Sequence, residues 1–193
     1  MNSTAKIIIV LTLITVISGG ILAVLDVYTK PRIEAHQNQL KNAAVAEVLP
    51  SNDKVETLKK DNLTYYKATK KNKIVAYAFQ VSGGGYQSEL VVMVGVTADF
   101  SEIIAAKIIS QVETPGLGTK IENDPSNKEH PTWFMDQFKG LKINPAITYV
   151  KNAKPSKKTE IEAITGATIS SAAVVDILNK GIAEAKALLS IKK

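Results

Sequence analysis

The sequence predicts an α+β protein in which one N-terminal transmembrane helix precedes a single domain with an antiparallel sheet and a C-terminal helix. Three observations support this prediction. Residues 7–25 contain no charge, and 14 of these 19 residues are apolar. Short segments of strand character, separated by turns, fill the middle of the chain. An amphipathic helical pattern occupies residues 170–189.

The apolar segment 7–25 is long enough to cross a membrane. Nineteen helical residues extend about 28 Å, close to the roughly 30 Å of a bilayer's hydrocarbon core. A cleaved signal peptide is the alternative, because Lys6 precedes the segment. A retained anchor is favoured, because the segment is longer than a typical signal-peptide core and no clear A-x-A cleavage site follows. Basic residues lie on both sides, so the positive-inside rule leaves the orientation open.

The residues after the anchor predict a helical stalk. Residues 28–31, Tyr-Thr-Lys-Pro, predict a break at the membrane interface. Apolar residues then recur at helical spacing over 32–49, and Pro50 ends the pattern. The predicted organisation is a tail over 1–6, a transmembrane helix over 7–25, a helical stalk over 26–50 and one domain over 51–193.

Within the domain, four segments joined by short turns predict an antiparallel sheet. They are residues 64–68, 74–81, 89–96 and 103–110, with a flexible glycine break at 82–85. Residues 133–138 predict a short amphipathic element, and 147–150 a further strand. In the final helix the apolar residues recur three or four apart: Val174, Leu178, Ile182, Ala185 and Leu189.

Composition argues against several kinds of chemistry. The chain has no cysteine, and its two histidines, His36 and His130, lie far apart, so no disulfide, thiol nucleophile, iron–sulfur cluster or other metal site is predicted. The 24 basic and 18 acidic residues give a net charge of +6. No arginine-rich or aromatic stripe accompanies the lysines, so nucleic-acid binding is not predicted. No acid–base pair or catalytic nucleophile is recognisable.

Two segments have the composition of a binding site. In 162–171, Gly166 permits a tight turn and Thr168 presents a hydroxyl at a helix N-terminus, where free N–H groups favour a phosphate. Ser170 and Ser171 can cap this helix or donate to phosphate oxygens, and a plain capping segment is the alternative. In 113–118, one proline and two glycines predict a turn whose backbone can approach a flat ligand, or else a rigid surface loop.

These segments, in their order along the chain, resemble the FMN-binding domain family. The resemblance is to the G subunits of Rnf-type ion-translocating ferredoxin:NAD oxidoreductases, to which the C subunits of sodium-pumping NADH:quinone reductases are related. The motifs that carry it follow the apolar span in this order: Thr29-Lys30-Pro31, Gly83-Gly84-Gly85-Tyr86, Met93-Val94-Gly95, residues 113–118, Gln137-Phe138-Lys139-Gly140, and Thr165-Gly166-Ala167-Thr168.

The resemblance implies covalently bound FMN. Members carry a D-x-x-[ST]-G-A-T pattern whose last threonine is esterified to the FMN phosphate by a separate flavin transferase. That threonine is Thr168 here, Thr165, Gly166 and Ala167 match the pattern, and Glu162 replaces the aspartate that the transferase recognises. Gln111 stands where relatives often have histidine.

The resemblance also implies that a second set of residues neighbours the flavin: Glu113, Thr114, Leu117 and Gly118. Leu117 would pack on the isoalloxazine, and the polar groups would set its hydrogen bonding and potential. Trp133 and Phe138 are interpreted as core residues rather than flavin contacts, and the two histidines as surface residues.

The implied function is electron transfer. The chain would be a redox component of a translocase, not a hydride-transfer catalyst, and would exchange electrons with the membrane subunits of a complex that moves Na⁺ or H⁺. Its domain would lie on the extracytoplasmic side of the cell membrane. Two alternatives stay open: a C-subunit-like component of a sodium-pumping NADH:quinone reductase, and a membrane-tethered binding module that has lost its flavin.

Overall fold

A computed structural model describes residues 3–61 and 63–189, which fall into two compact units divided between residues 40 and 41. Most of the first unit belongs to helix α1, which runs from Ser3 to Val48. Its apolar residues in 7–25 are largely exposed, and it is the one described helix long and apolar enough to cross a membrane. The predicted tail 1–6 begins, and the predicted domain 51–193 ends, outside the described residues.

The predicted break at residues 28–31 is wrong, because α1 continues through Pro31. A proline inside a helix removes one backbone hydrogen bond, while the turns on either side keep theirs. Local side-chain bonds also stabilise this stretch. The Thr29 hydroxyl donates to the Leu25 carbonyl at 2.8 Å, and Arg32 donates to the Tyr28 hydroxyl at 2.8 Å. Stalk and span are therefore one helix, which starts at Ser3 instead of Ile7.

The predicted antiparallel sheet is confirmed and has five strands, each paired with the next along the chain. The strands are β1 Lys54–Lys60, β2 Leu63–Lys70, β3 Lys73–Gly84, β4 Glu89–Thr97 and β5 Ile103–Ser110. The sequence does not predict strand β1, because an edge strand rich in lysine, glutamate and threonine lacks an apolar alternation.

The glycine run at 82–85 is not a flexible break. Strand β3 extends to Gly84, which pairs with Glu89, and the Gly85 N–H donates to the Ser88 carbonyl at 2.7 Å. Gly83 packs against Ile177 too closely for any side chain. The glycines therefore belong to the end of a paired strand and to its hairpin turn.

The rest of the domain crosses one face of the sheet. A short 3₁₀ helix spans Gly118–Ile121, and helix α2 spans Trp133–Asp136. A small parallel pair follows, β6 Thr148–Val150 and β7 Glu160–Glu162. Helix α3, Thr168–Leu189, is the last described element and contacts β3 and β4. The sequence predicts α2, β6 and α3 but not β7, which is three residues long.

The main core lies between the sheet and α3. Large side chains of β3 and β4 point to this face, including Phe79, Val81 and Val94, and the α3 stripe of Val174, Leu178 and Ile182 packs on them. All of these are at most 7% exposed. Phe138 is fully buried, as the core interpretation expects, while Trp133 is partly buried and donates to Asp124.

The opposite face of the sheet carries small residues and receives the end of α1. Ala76 and Ala78 of β3 pack with Ala44, Val45 and Val48, all buried. Small side chains on a sheet let a helix backbone approach closely. Residues 41–48 of α1 therefore belong to the same compact unit as the sheet.

Candidate functional site

Thr168 is the first residue of α3, and a short turn connects it to the end of β7. Gly166 in this turn has a φ of +83°, a conformation that L side chains rarely adopt. The Ala167 N–H donates to the Ile164 carbonyl at 3.0 Å. The turn thus presents the half-buried Thr168 side chain at a helix N-terminus.

Ser171 holds this turn from behind. Its hydroxyl accepts from the Ile164 N–H and donates to the Ala167 carbonyl, both at 3.0 Å, and the side chain is fully buried. Since a hydroxyl has one hydrogen to donate, Ser171 has none left for a ligand. The Ser171 hydroxyl therefore stabilises the turn before α3 instead of binding a ligand.

The first turn of α3 has backbone donors available. Among the hydrogen bonds of the described residues, none has the N–H of Thr168, Ile169 or Ser170 as donor. Unpaired N–H groups at a helix N-terminus, together with the helix dipole, favour a bound anion. The site can therefore hold a phosphate group directly beside the Thr168 hydroxyl.

A cavity of about 360 Å³ opens at Thr168. Its volume falls within the range of about 300 to 1,000 Å³ that is usual for small-molecule sites. The lining residues come from the 86 turn, the 113–118 segment, the turn before α3 and the first residues of α3: Tyr86, Thr114, Leu117, Gly118, Gly166, Ala167, Thr168, Ile169 and Ser170. The two segments that the sequence singled out thus meet at one cavity, although they lie about 50 residues apart.

The rim of the cavity is apolar and exposed. Tyr86 is 63% exposed, Ile169 60% and Leu117 46%, high values for large apolar side chains. Tyr86 and Ile169 are not among the predicted site residues. The sequence does carry a signal for Ile169, because it is an apolar residue beside Thr168 that falls outside the core stripe of α3.

Four of the predicted site residues do not line the cavity, the buried Ser171 and three others. Thr165 is exposed, and its hydroxyl donates to Asn152 at 3.2 Å. Glu162 lies in β7, where its backbone N–H and carbonyl are both bonded by the Gln137 side chain, at 2.7 and 3.1 Å. Glu113 is buried behind the cavity wall, where its carboxylate is bonded to protein donors.

Glu113 is the buried acidic group of this region. Burial raises its pKa, but hydrogen bonds from the Ser170 hydroxyl and from the Gln87 and Ser88 N–H groups outweigh burial and bring the pKa below its ordinary value. The carboxylate is therefore ionised at neutral pH. Among residues 3–61 and 63–189, no lysine, arginine or histidine forms an ion pair with it.

Comparison with known proteins identifies the family. Residues 85–183 match the FMN-binding domain family. The chain is 36% identical over 177 residues to the G subunit of the proton-translocating ferredoxin:NAD⁺ oxidoreductase complex of Clostridium ljungdahlii, covering 91% of this chain and 85% of the relative. It is 31% identical over 181 residues to the G subunit of the Na⁺-translocating ferredoxin:NAD⁺ oxidoreductase complex of Acetobacterium woodii, covering 89% and 81%.

A crystal structure shows the same fold. The C subunit of the Na⁺-translocating NADH-quinone reductase of Parabacteroides distasonis superposes with a TM-score of 0.56 and 22% identity, over 74% of this chain and 77% of that one. The region matched by the family contains every residue of the cavity, from Tyr86 to Ser170. The chain therefore belongs to the FMN-binding domain family, among the G subunits of ion-translocating oxidoreductase complexes.

Proposed function

We propose that this chain is the electron-transferring G subunit of a membrane-bound Rnf-type complex and carries FMN in a phosphoester linkage to Thr168. The observation that supports the proposal most is the position of the Thr168 hydroxyl. It lies at the start of α3, beside three N–H groups that no described residue uses and at the opening of a 360 Å³ cavity. FMN bound there would supply one-electron transfer.

The residues present suit the parts of FMN. A phosphodiester keeps one negative charge, which the free N–H groups and the helix dipole stabilise. The exposed apolar side chains of Tyr86, Leu117 and Ile169 can cover a flat aromatic ring. The Thr114 hydroxyl donates to Gln87 at 3.2 Å and retains acceptor capacity toward the cavity.

Glu162 is proposed as a recognition residue for a flavin transferase. Its backbone is bonded by Gln137, while its partly buried side chain forms no hydrogen bond or ion pair among the described residues. A carboxylate that has no role inside the domain is available to another protein. The replacement of the family's aspartate by glutamate keeps the charge and lengthens the side chain by one methylene.

The partners are proposed to be the other subunits of the complex, because the similar proteins are named as subunits of ion-translocating oxidoreductases. The apolar helix α1 and these relatives support a membrane protein, with the domain proposed to lie on the extracytoplasmic side. A protease added outside cells whose envelope is permeable should then degrade the domain. Full protection would contradict this orientation.

The attachment of FMN can be tested directly. The full chain is co-expressed with a flavin transferase, denatured on a gel and examined for ultraviolet fluorescence in its band. We expect fluorescence in the wild type and in Thr148→Ala, whose exposed threonine lies in β6 away from the cavity. Thr168→Ala should abolish it. Fluorescence in Thr168→Ala would overturn the attachment site, and none in the wild type would favour a flavin-free binding module.

The function of the related C subunits is the alternative that shares the fold and the proposed cofactor. The likeness to the Parabacteroides structure, at 22% identity, concerns the fold alone. The curated G subunits match at 36% and 31% identity over most of both chains, which supports a G-type function. Co-purification of the tagged full chain with the other subunits of its own complex would separate the two functions.

A further inference from the structure

Glu113 connects three segments that are distant in sequence. It follows β5, and its side chain is 3% exposed. Oε1 accepts hydrogen bonds from the N–H groups of Gln87 and Ser88, at 3.0 and 3.4 Å. Oε2 accepts from the Ser170 hydroxyl, at 2.5 Å. One carboxylate thus connects the 85–88 turn and the 113–118 segment to the first turn of α3.

Two glycines make room for this carboxylate. A Cβ on Gly85 would overlap Glu113 Oε1 and lie 2.8 Å from Leu90 Cγ. A Cβ on Gly118 would lie 2.8 Å from Glu113 Cβ, 2.9 Å from its Oε2 and 2.9 Å from Ser170 Oγ. These distances are too short for real Cβ atoms. The packing around Glu113 therefore explains why both positions are glycine, without any need for the backbone to approach a ligand.

Both oxygens of the Glu113 carboxylate accept hydrogen bonds from donors of the protein itself. An ionised carboxylate has no hydrogen to donate, so it cannot supply a hydrogen-bond donor to a flavin. Its two oxygens are directed to Ser170 on one side and to the 87–88 backbone on the other. Glu113 is also absent from the residues that line the cavity. It therefore differs from Thr114 and Leu117, which do line it.

We propose that Glu113 is a positioning residue, which fixes the 85–88 turn relative to the first turn of α3 at the cavity without touching the cofactor. It acts through Ser170, two residues after Thr168, and so holds the Thr168 hydroxyl and the free N–H groups in one orientation. The part of the proposal that concerns FMN rests on the proposed function. The part that concerns the two turns does not.

The first measurement uses the full chain without flavin, purified in detergent. Hydrogen–deuterium exchange is compared for peptides that cover 85–90 and 164–172. Glu113→Gln keeps the shape but replaces one of the two acceptor oxygens with an NH₂ donor and removes the charge, so both peptides should exchange about tenfold faster. Ser170→Ala should accelerate the 164–172 peptide only. Glu89→Gln changes an exposed carboxylate of β4 and should accelerate neither.

The second measurement is the rate of flavin attachment by the transferase. Glu113→Gln and Ser170→Ala should each slow attachment by about tenfold, and the double variant should be no slower than Glu113→Gln alone, because both changes remove the same hydrogen bond. The absorbance spectrum of the flavin that does attach should match the wild type, since Glu113 does not contact it. Thermal melting identifies any variant that fails to fold, and Ser170→Ala is the milder change.

Each outcome has a definite meaning. Unchanged exchange in Glu113→Gln would overturn the positioning role, whatever happens to the flavin. A flavin spectrum altered by Glu113→Gln but not by Ser170→Ala, or additive effects on the attachment rate, would show direct contact with the cofactor instead. Wild-type chain that takes up no flavin while the exchange pattern holds would refute the proposed function and leave the positioning of the two turns standing.

Discussion

The backbone carbonyl of Val48, at the end of α1, lies directly against the Cα of Gly95 in the middle of β4. A Cβ on Gly95 would overlap the Val48 oxygen and lie 2.8 Å from its carbonyl carbon. Gly95, like Met93, faces the small-residue side of the sheet. Its neighbours along β4 face the other side, toward α3. The close packing of the end of α1 on the sheet therefore leaves no room for a side chain at this position.

Gly95→Ala should destabilise the domain. The backbone of Val48 cannot rotate away as a side chain can, so the helix end must move, and overpacking of this kind costs about 1–3 kcal/mol. Urea unfolding of the full chain in detergent, followed by the fluorescence of Trp133, measures the loss. Gly84→Ala is the matched control, because Gly84 is also in a strand and has open space around it. Equal stability of the two variants would contradict the close approach.

Gly166→Ala should destabilise the turn before α3 more than Gly116→Ala destabilises the 113–118 segment. Both glycines have positive φ, +83° and +72°, so each alanine incurs about 1–2 kcal/mol of backbone strain. Only at Gly166 does the new Cβ also meet a neighbour, Leu117 Cδ2 at 3.3 Å. The same unfolding measurement compares them. A smaller loss of unfolding free energy in Gly166→Ala than in Gly116→Ala would argue against the contact between residues 166 and 117.

Gln137→Ala should lower the unfolding free energy, whereas Glu162→Gln should not. Gln137 makes two hydrogen bonds to the Glu162 backbone, each contributing about 0.5–1.5 kcal/mol. The Glu162 side chain makes none among the described residues. On the proposed function, Glu162→Gln should still slow flavin attachment. Thermal melting and in-gel fluorescence of both variants measure the two effects, and a loss of stability in Glu162→Gln would contradict the separation.

Acid should destabilise the domain through Asp124 and Glu160. Hydrogen bonds from Ser126, then from Trp133 and Lys120, lower the pKa of Asp124 from 3.8 to about 2. The Lys157 ammonium, with Ser156, lowers the pKa of Glu160 from 4.5 to about 2. Because folding lowers both pKa values, their stabilising contribution is present above about pH 4.5 and is lost as the pH falls toward 2.

These two groups should therefore change the melting temperature little between pH 8 and 5. Below about pH 4, their protonation should make it fall steeply. Asp124→Asn cannot titrate, so its melting temperature should start lower at pH 7 and fall less on acidification. Melting curves at pH 7, 4 and 3 measure this. If the melting temperature of Asp124→Asn falls as much as that of the wild type between pH 7 and 3, Asp124 is not part of the explanation.

Local sequence patterns are sufficient for most elements of the fold. Strand β5 has the predicted bounds, because its apolar run lies between clear turns. The final helix is predictable because its core-facing residues recur at helical spacing. The sequence misses two elements whose local signals are weak, the charged strand β1 and the three-residue strand β7. It also predicts a break in α1 at Pro31, because a proline inside an exposed helix usually indicates one.

The sequence by itself determined the apolar span, the order of the elements, and the family motifs that single out Thr168. These depend on residue types and spacings along the chain. Only the tertiary structure decided that Glu113 meets Ser170, 57 residues away, and that Gly85 and Gly118 leave space for that contact. The reason is that a buried hydrogen bond between distant segments exists only after the sheet and α3 have packed, so no local pattern encodes it.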